Sequence, residues 1–260
     1  MADPFKDYFA AVATHYVHHR PTYPPTLFDW LAHRCEERDL AWDCGTGNGQ
    51  AATALGRWFR RVWATDASAA QIAQAMRHPG IEYHQAPAEH SGLAAGSVDL
   101  VVVAQALHWF NREPFYAEVR RVLKPTGWMA VWSYGVLQVA DAAVDALVQR
   151  FYYDDVGPYW PPERQHVDNG YRALALPFCP VATPDFAMSV RWNLEQLLGY
   201  LRSWSATGRY LQARGVNPVD LLAPRLRACW GDAERLCVVA WPLTLRVGQP
   251  VVCGVQRDIL

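Results

Sequence analysis

Eleven residues, Leu40–Gln50 (LAWDCGTGNGQ), narrow the possible folds more than any other stretch of the chain. A short apolar strand runs into an acid, Asp43, and then into a turn carrying Gly45, Gly47 and Gly49. A second apolar strand ends in Asp66, 23 residues after Asp43, within VWATDAS at 62–68. Strand, tight turn and helix start at this spacing predict the nucleotide-binding half of a doubly wound α/β sheet. A dinucleotide fingerprint running from Gly45 would need its third glycine where Gln50 stands. Asp43 also stands at the mouth of the loop, where a carboxylate would repel a pyrophosphate. The pattern therefore disfavours an NAD(P)-dependent oxidoreductase and favours a cationic ligand without phosphate.

Composition bears on partners and compartment. The 260-residue chain fits one large α/β domain, or one domain with a sizeable insertion. Acids and bases nearly balance, 25 against 24, so no global basic field exists to hold a phosphate backbone and no nucleic-acid partner is expected. The N-terminal MADPFKDYFAAVATHYVHH has Asp3 and Asp7 early and no uninterrupted apolar run, which predicts neither a signal peptide nor a membrane span. Six cysteines, at 35, 44, 179, 229, 237 and 253, form no C-x-x-C pair. In a chain of this length they predict buried, reduced thiols in a cytoplasmic protein, not a disulfide frame or a zinc site. His15, His18 and His19 cluster without an acid or cysteine at ligand spacing, so no metal is expected. The oligomeric state has no signature in the sequence.

Periodicity supplies the elements. Phe5, Phe9, Val12 and Tyr16 share one face of an expected helix over 4–19, which Pro21, Pro24 and Pro25 bring to an end. A helix over 25–38 leads to a strand at 40–43, then a helix near 48–58, a strand at 61–66, a helix near 68–76 and a strand at 81–85. Ser97–Ala104 is a nearly continuous apolar run, as expected of a strand buried on both faces, with Asp99 pairing or capping at the sheet bottom. Asn111 caps an expected helix over 112–123, Leu123–Gly127 turns the chain, and Trp128–Trp132 supplies a fifth strand. Five alternating units predict a parallel sheet built by right-handed crossovers. After 135 come a helix over 138–153, an aromatic, proline-rich stretch over 154–185, a strand at 186–192 and helices over 193–213 and 218–229. A last strand over 236–247 contains Pro242, which predicts an edge position or a bulge. The expected fold is α/β, Rossmann-like and doubly wound, with a mostly parallel seven-stranded sheet. Its parts are an N-terminal helical lid (1–37), a ligand-binding core (38–137), a helical and aromatic cap with one core strand (138–235) and a C-terminal strand completing the sheet (236–260).

The series Asp43, Gly45, Gly47, Gly49, with Asp66 downstream, resembles the first motifs of the class I methyltransferases that use S-adenosyl-L-methionine (SAM). That ligand carries an ammonium and a sulfonium and no phosphate. The resemblance implies that Gly45 and Gly47 let the backbone approach the methionine portion, that Asp43 serves its cationic end directly or through water, and that Asp66 accepts the ribose hydroxyls. It further implies Ala67 against the adenine, Ala88 and Glu89 at the adenine edge, Gln105 and Ala106 beside the methionine part, and His108 and Trp109 on the wall facing the methyl group. Arg121–Gly127 resembles the family's helix-to-strand turn, with Thr126 where the first of two glycines usually stands. HHRPTYPPTLFDWL at 18–31, QALHWFN at 105–111, GPYWPPERQHVDNGY at 157–171 and LLGYLRSWSATGRY at 197–210 are similar to the methyltransferase type 11 subgroup, which includes trans-aconitate methyltransferases. This narrower resemblance implies a lid over the cofactor that uses Tyr16 and Arg20, and an acceptor-side cap.

The implied activity is SAM-dependent methylation of a small organic acceptor, with O-methylation of a carboxylic acid placed first by resemblance. His108 follows a strand on the ligand side of the sheet, where it could act as a general base, orient the acceptor or simply form a wall. A carboxylate acceptor needs no base, whereas a hydroxyl would benefit from one. Twelve tryptophans exceed what such a core needs, so the acceptor pocket is expected in 154–210, with Tyr159, Trp160 and Trp204 lining it. Arg164, Arg202 or Arg209 could pair with an acceptor carboxylate. A SAM-binding protein without turnover would keep the same cofactor residues and stands as the alternative.

Overall fold

Leu40–Cys44 is buried at all five positions and Val98–Ala104 at all but its last, so both strands lie inside a layered α/β structure. The computed structural model describes residues 21–250; the expected helix over 4–19, with Tyr16 and Arg20, lies outside the described residues. The chain divides into two compact units. The described residues of the first are 25–133, 171–185 and 244–250, and those of the second are 21–24, 134–170 and 186–243.

In the first unit, Pro25–Ala32 (α1) precedes Leu40–Cys44 (β1), Gln50–Leu55 (α2), Arg61–Asp66 (β2), Ala69–Ala73 (α3) and Ile81–Gln85 (β3). Val98–Ala104 (β4), Arg112–Val122 (α4) and Leu123–Tyr134 (β5) follow. The strands lie in the order β3-β2-β1-β4-β5 with every neighbouring pair parallel. Parallel strands deliver their carboxyl ends to one edge, so the residues after Cys44, Asp66, Gln85 and Ala104 emerge together, where open α/β sheets bind ligands. Large rings fill the layers: Phe28 meets Trp132 edge-on at 6.0 Å between centroids, and Trp42 meets Phe115 likewise at 6.0 Å.

At the opposite end of the sheet Asp99 has the structural role expected of it. Its Oδ2 accepts from the backbone N–H groups of Asp39 and Leu40, both at 2.9 Å, and Oδ1 pairs with Lys124 Nζ at 2.6 Å. The turn expected at Leu123–Gly127 proves to be the irregular start of β5. Val98 pairs with Leu123 and Leu100 with Trp128, so Lys124–Gly127 bulge out between those two pairs.

The second unit contains Gln138–Val139 (β6), Ala142–Arg150 (α5), a π-helical turn at Phe151–Asp155 and Arg164–Asp168 (α6). After these come Phe186–Trp192 (β7), Leu194–Arg202 (α7), Ser205–Arg214 (α8), Pro218–Trp230 (α9) and Cys237–Gly248 (β8), whose residues from Thr244 onward belong to the first unit. With the two-residue β6 the strands among the described residues number eight, where seven are expected. The edge position expected of Pro242 is corrected, since β6 and β7 both pair antiparallel with β8. Pro242 lies within the β7 pairing, opposite Ala187. The expected helix over 193–213 is two helices. Asn193 and Gln196 form a capping box that starts α7, and the chain breaks at Ser203–Trp204 before α8.

One further expectation changes. Cys35, Cys44 and Cys237 are buried free thiols, but Cys179 and Cys229 are exposed, Cys229 because it lies off the Leu222, Leu226 and Trp230 stripe that α9 buries. Cys253 lies outside the described residues. Among the described residues no helix is long and apolar enough to cross a membrane.

Candidate functional site

The turn after β1 is built by short-range hydrogen bonds. Gly45 N and Thr46 N both donate to Thr65 O, at 2.8 and 2.9 Å, tying the turn to β2. Asp43 is wholly buried, and Thr46 Oγ1 donates to its Oδ2 at 2.6 Å, while Oδ1 makes no hydrogen bond of standard geometry. Burial pushes this carboxyl up to about 7; the Thr46 hydroxyl and the Ala52 backbone N–H oppose the shift, and the nearby Asp66 charge adds to it. A carboxyl so enclosed offers a ligand no direct contact. Asp43 acts on the loop, through Thr46.

The three glycines divide by what a side chain would meet. A Cβ on Gly45 would stand 2.6 Å from Ala106 Cβ and 3.0 Å from Phe110 Cζ. One on Gly49 would strike the Tyr83 hydroxyl. At Gly47, with φ +56°, the nearest atom is Gln71 Oε1 at 3.8 Å. Gly45 is thus required by packing against residues 106–110, where the sequence reading had it spare room for a ligand. The open side of the loop is at Gly47.

Asp66, at the tip of β2, is held in place by two backbone donors. Gly47 N donates to its Oδ2 and Ser68 N to its Oδ1, both at 2.9 Å. These two bonds fix the orientation of the Asp66 carboxylate at the strand tip. Ala86 N donates to Asp66 O at 3.0 Å and Gln85 Nε2 to Ala67 O at 3.1 Å, which brings the 86–89 turn to the same edge. Ala88 is buried there, and Ala67 and Glu89 are half-buried.

After β4 the chain enters Gln105 with a left-handed backbone, φ 58°, and its N–H donates to Trp132 O at 2.9 Å. A single 3₁₀ turn, Leu107–Trp109, follows. The Ala106 and Phe110 contacts with Gly45 place this turn beside the glycine loop. His108 Nδ1 lies 2.8 Å from the Tyr171 hydroxyl, and the His108 and Trp109 rings sit 4.6 Å apart. The structure therefore brings together Asp43, Gly45, Gly47, Asp66, Ala67, Gln105, Ala106, His108 and Trp109 in the first unit.

The expected acceptor residues lie in the second unit, and one of them is core. Trp204 is only 9 % exposed, stacked on Phe151 at 5.9 Å and edge-on to Tyr152 at 5.4 Å, so the expectation that it lines a pocket is corrected. It is the ring on which α7 and α8 break. Trp160 and Tyr159 are half-buried. Tyr159 takes bonds from two arginines, Arg214 Nε to its hydroxyl at 2.9 Å and Arg209 Nη1 to its carbonyl at 3.4 Å. Arg164 donates to the Tyr152 hydroxyl at 2.7 Å and pairs with Asp168 at 3.3 Å, and Arg202 pairs with Asp220 at 3.1 Å. The arginines proposed for an acceptor carboxylate thus have partners within their own unit.

Two contributors escaped the sequence reading. Thr46 was legible, since a hydroxyl three residues after Asp43 is in reach of its carboxylate. Tyr171 was not, because it stands 63 residues from His108 and no local spacing announces the pair.

Comparison with known proteins agrees with this geometry. Residues 42–131 match a family described as the methyltransferase domain. A Dictyostelium discoideum protein named as a methyltransferase is 35% identical over 212 residues, covering 80% of this chain and 81% of that one. A Saccharomyces cerevisiae protein named for S-adenosylmethionine-dependent methyl transfer is 31% identical over 132 residues, 47% of this chain and 45% of that one. A solved structure from Anaeromyxobacter dehalogenans, described as a type II methyltransferase, superposes with a TM-score of 0.84 at 45% identity, covering 88% of this chain and 97% of that one.

Proposed function

The chain belongs to the methyltransferase family and is a SAM-dependent methyltransferase; from that premise we propose that it methylates a carboxylate oxygen of a small organic acid. The observation that carries the cofactor half is the glycine loop, open at Gly47 and closed at Gly45 and Gly49, with Asp66 oriented beside the opening. This is a cradle that a Cβ would narrow, next to a fixed carboxylate able to accept two ribose hydroxyls. The acceptor half rests on the resemblance to the type 11 subgroup and its trans-aconitate methyltransferases.

When bound, SAM supplies an electrophilic methyl on a sulfonium, which leaves as a neutral thioether as the acceptor oxygen takes the carbon. The chain's own task is alignment and exclusion of water, for which effective molarity can supply about 7–11 kcal/mol. Asp66 holds the ribose, Ala67, Ala88 and Glu89 the adenine, and Gln105 and Ala106 the methionine backbone. His108 and Trp109 face the reacting methyl. A carboxylate is ionised at neutral pH, so no residue needs to remove a proton.

The test is incubation with methyl-labelled SAM and a panel of small carboxylic acids. Label is expected in a base-labile methyl ester. Label confined to base-stable products would put the transfer on nitrogen or carbon, and SAM binding without any labelled product would favour the protein without turnover.

A further inference from the structure

Among the described residues only two that are not glycine adopt the left-handed backbone, Gln105 (φ 58°) and Tyr171 (φ 56°). A side chain is disfavoured there, and for a bulky aromatic it is a true outlier that its surroundings must enforce. The two residues meet at one place. Gln105 launches the turn that carries His108, and the Tyr171 hydroxyl lies 2.8 Å from His108 Nδ1. Strain that converges on one contact points to a use for that contact.

Both sides of the contact are fixed by the backbone. Arg246 Nη1 donates to Tyr171 O at 2.6 Å and to Leu174 O at 3.0 Å, clamping the turn after Tyr171. The Tyr116 hydroxyl donates to Ala175 O at 2.8 Å. The Tyr171 residue is 1 % exposed. Across from it, Gln105 N is bonded to Trp132 O and the Trp109 ring lies against His108. None of this is needed to build a wall.

We propose that Tyr171 is a positioning residue that holds His108 with its proton on Nε2, so that His108 donates a hydrogen bond to the acceptor's oxygen instead of removing a proton from it. In a neutral imidazole one nitrogen donates and the other accepts, and the partner of one fixes the role of the other. A phenol is the better donor of this pair and a bare imidazole nitrogen the better acceptor, so O–H···Nδ1 is the stronger arrangement. It puts the remaining ring proton on Nε2. An N–H there suits an anionic oxygen, whereas a hydroxyl acceptor would need a bare Nε2. The inference deepens the proposed carboxylate reaction and rests on it for the identity of the acceptor.

The experiment is long-range ¹H–¹⁵N spectroscopy of the full chain labelled at histidine nitrogens, with the His108 signals assigned by their loss in His108→Gln. Nε2-protonated His108 is expected in the unsubstituted protein, and a mixture of tautomers in Tyr171→Phe. A proton on Nδ1 in the unsubstituted protein would overturn the proposal whether or not the variant folds, and so would an unchanged His108 signal in a folded Tyr171→Phe. With a carboxylate acceptor, Tyr171→Phe should raise acceptor KM roughly tenfold, the size of one lost hydrogen bond, and leave SAM affinity unchanged. His108→Gln, which keeps an amide donor, should retain more kcat/KM than His108→Leu; equal loss in both would return His108 to the role of a base. The tautomer is read without any acceptor, so its confirmation alongside failure to esterify any acid would count against the reaction and not against the Tyr171 assignment.

Discussion

A Cβ at Gly45 would press into Ala106 and Phe110, whereas one at Gly47 would find its nearest neighbour 3.8 Å away. The same mutation should therefore do different things two residues apart. Gly45→Val should lose roughly 1–3 kcal/mol or more to overpacking and show a clear fall in Tm. Gly47→Ala should lose only about 1–2 kcal/mol to its backbone but weaken SAM binding out of proportion. Thermal unfolding alongside calorimetric titration separates them; a Gly45→Val protein of normal stability that cannot bind SAM would restore that glycine to the ligand. Asp66→Ala should lower SAM affinity at least about tenfold, since it removes charge-assisted bonds worth roughly 1.5–3 kcal/mol each. Unchanged affinity by calorimetry would remove Asp66 from the ribose site. The loop and both acids were legible in the sequence because a strand, a tight turn and a following acid are local features. Tyr171 was not, because its φ and its contact with His108 exist only once distant segments are packed.

Elements were legible where a strand keeps one register from end to end and obscured where it bulges or bends. β2, β3 and β7 run from 61 to 66, 81 to 85 and 186 to 192, as their apolar patterns predict. β5 starts five residues before the expected Trp128, because Pro125 and Gly127 read as a turn and the structure absorbs them as a bulge. Trp204 read as a pocket residue because tryptophan count says nothing of which rings pack together. Trp204→Ala should therefore cost about 3–5 kcal/mol of stability, and the half-buried Trp160 less, as chemical denaturation would report. A tie between elements was invisible in the same way: Glu118 on α4 accepts from Ser91 N, Ser91 Oγ and Arg121, fixing the loop before β4 to the helix after it. Glu118→Gln should cost roughly 2–3 kcal/mol, the scale of charged hydrogen bonds. Its test is the acid limb of the stability curve, which the glutamine variant should lack. Arg121 beside it holds the Glu118 carboxyl down at about 2 against an ordinary 4.5. The folded state thus binds fewer protons, and the stabilisation is present above about 4.5 and lost as pH falls toward 2.

With a net charge of −1 the molecule has almost no global field of its own, so its response to pH depends on a few buried groups. Asp43 works in the opposite sense to Glu118. Burial raises its carboxyl from 3.8 to about 7, so between those values the folded chain holds a proton that the unfolded chain has released. Stability owed to the neutral form is complete below pH 3.8 and is lost as pH rises through about 7. Taken together, the two carboxyls favour a stability maximum on the acid side of neutrality, above the range in which Glu118 is protonated and below that in which Asp43 ionises. The sequence places an acid before the glycines but cannot say that it is enclosed, since enclosure comes from the packing of β1 between β2 and β4. Asp43→Asn removes the titration while nearly keeping the shape. Tm measured from pH 4 to 8 should fall for the parent protein relative to this variant as pH approaches 7, and the difference should level off above it. A difference between the two curves that stays constant across that range would show that Asp43 does not titrate there and that its charge is balanced in some other way.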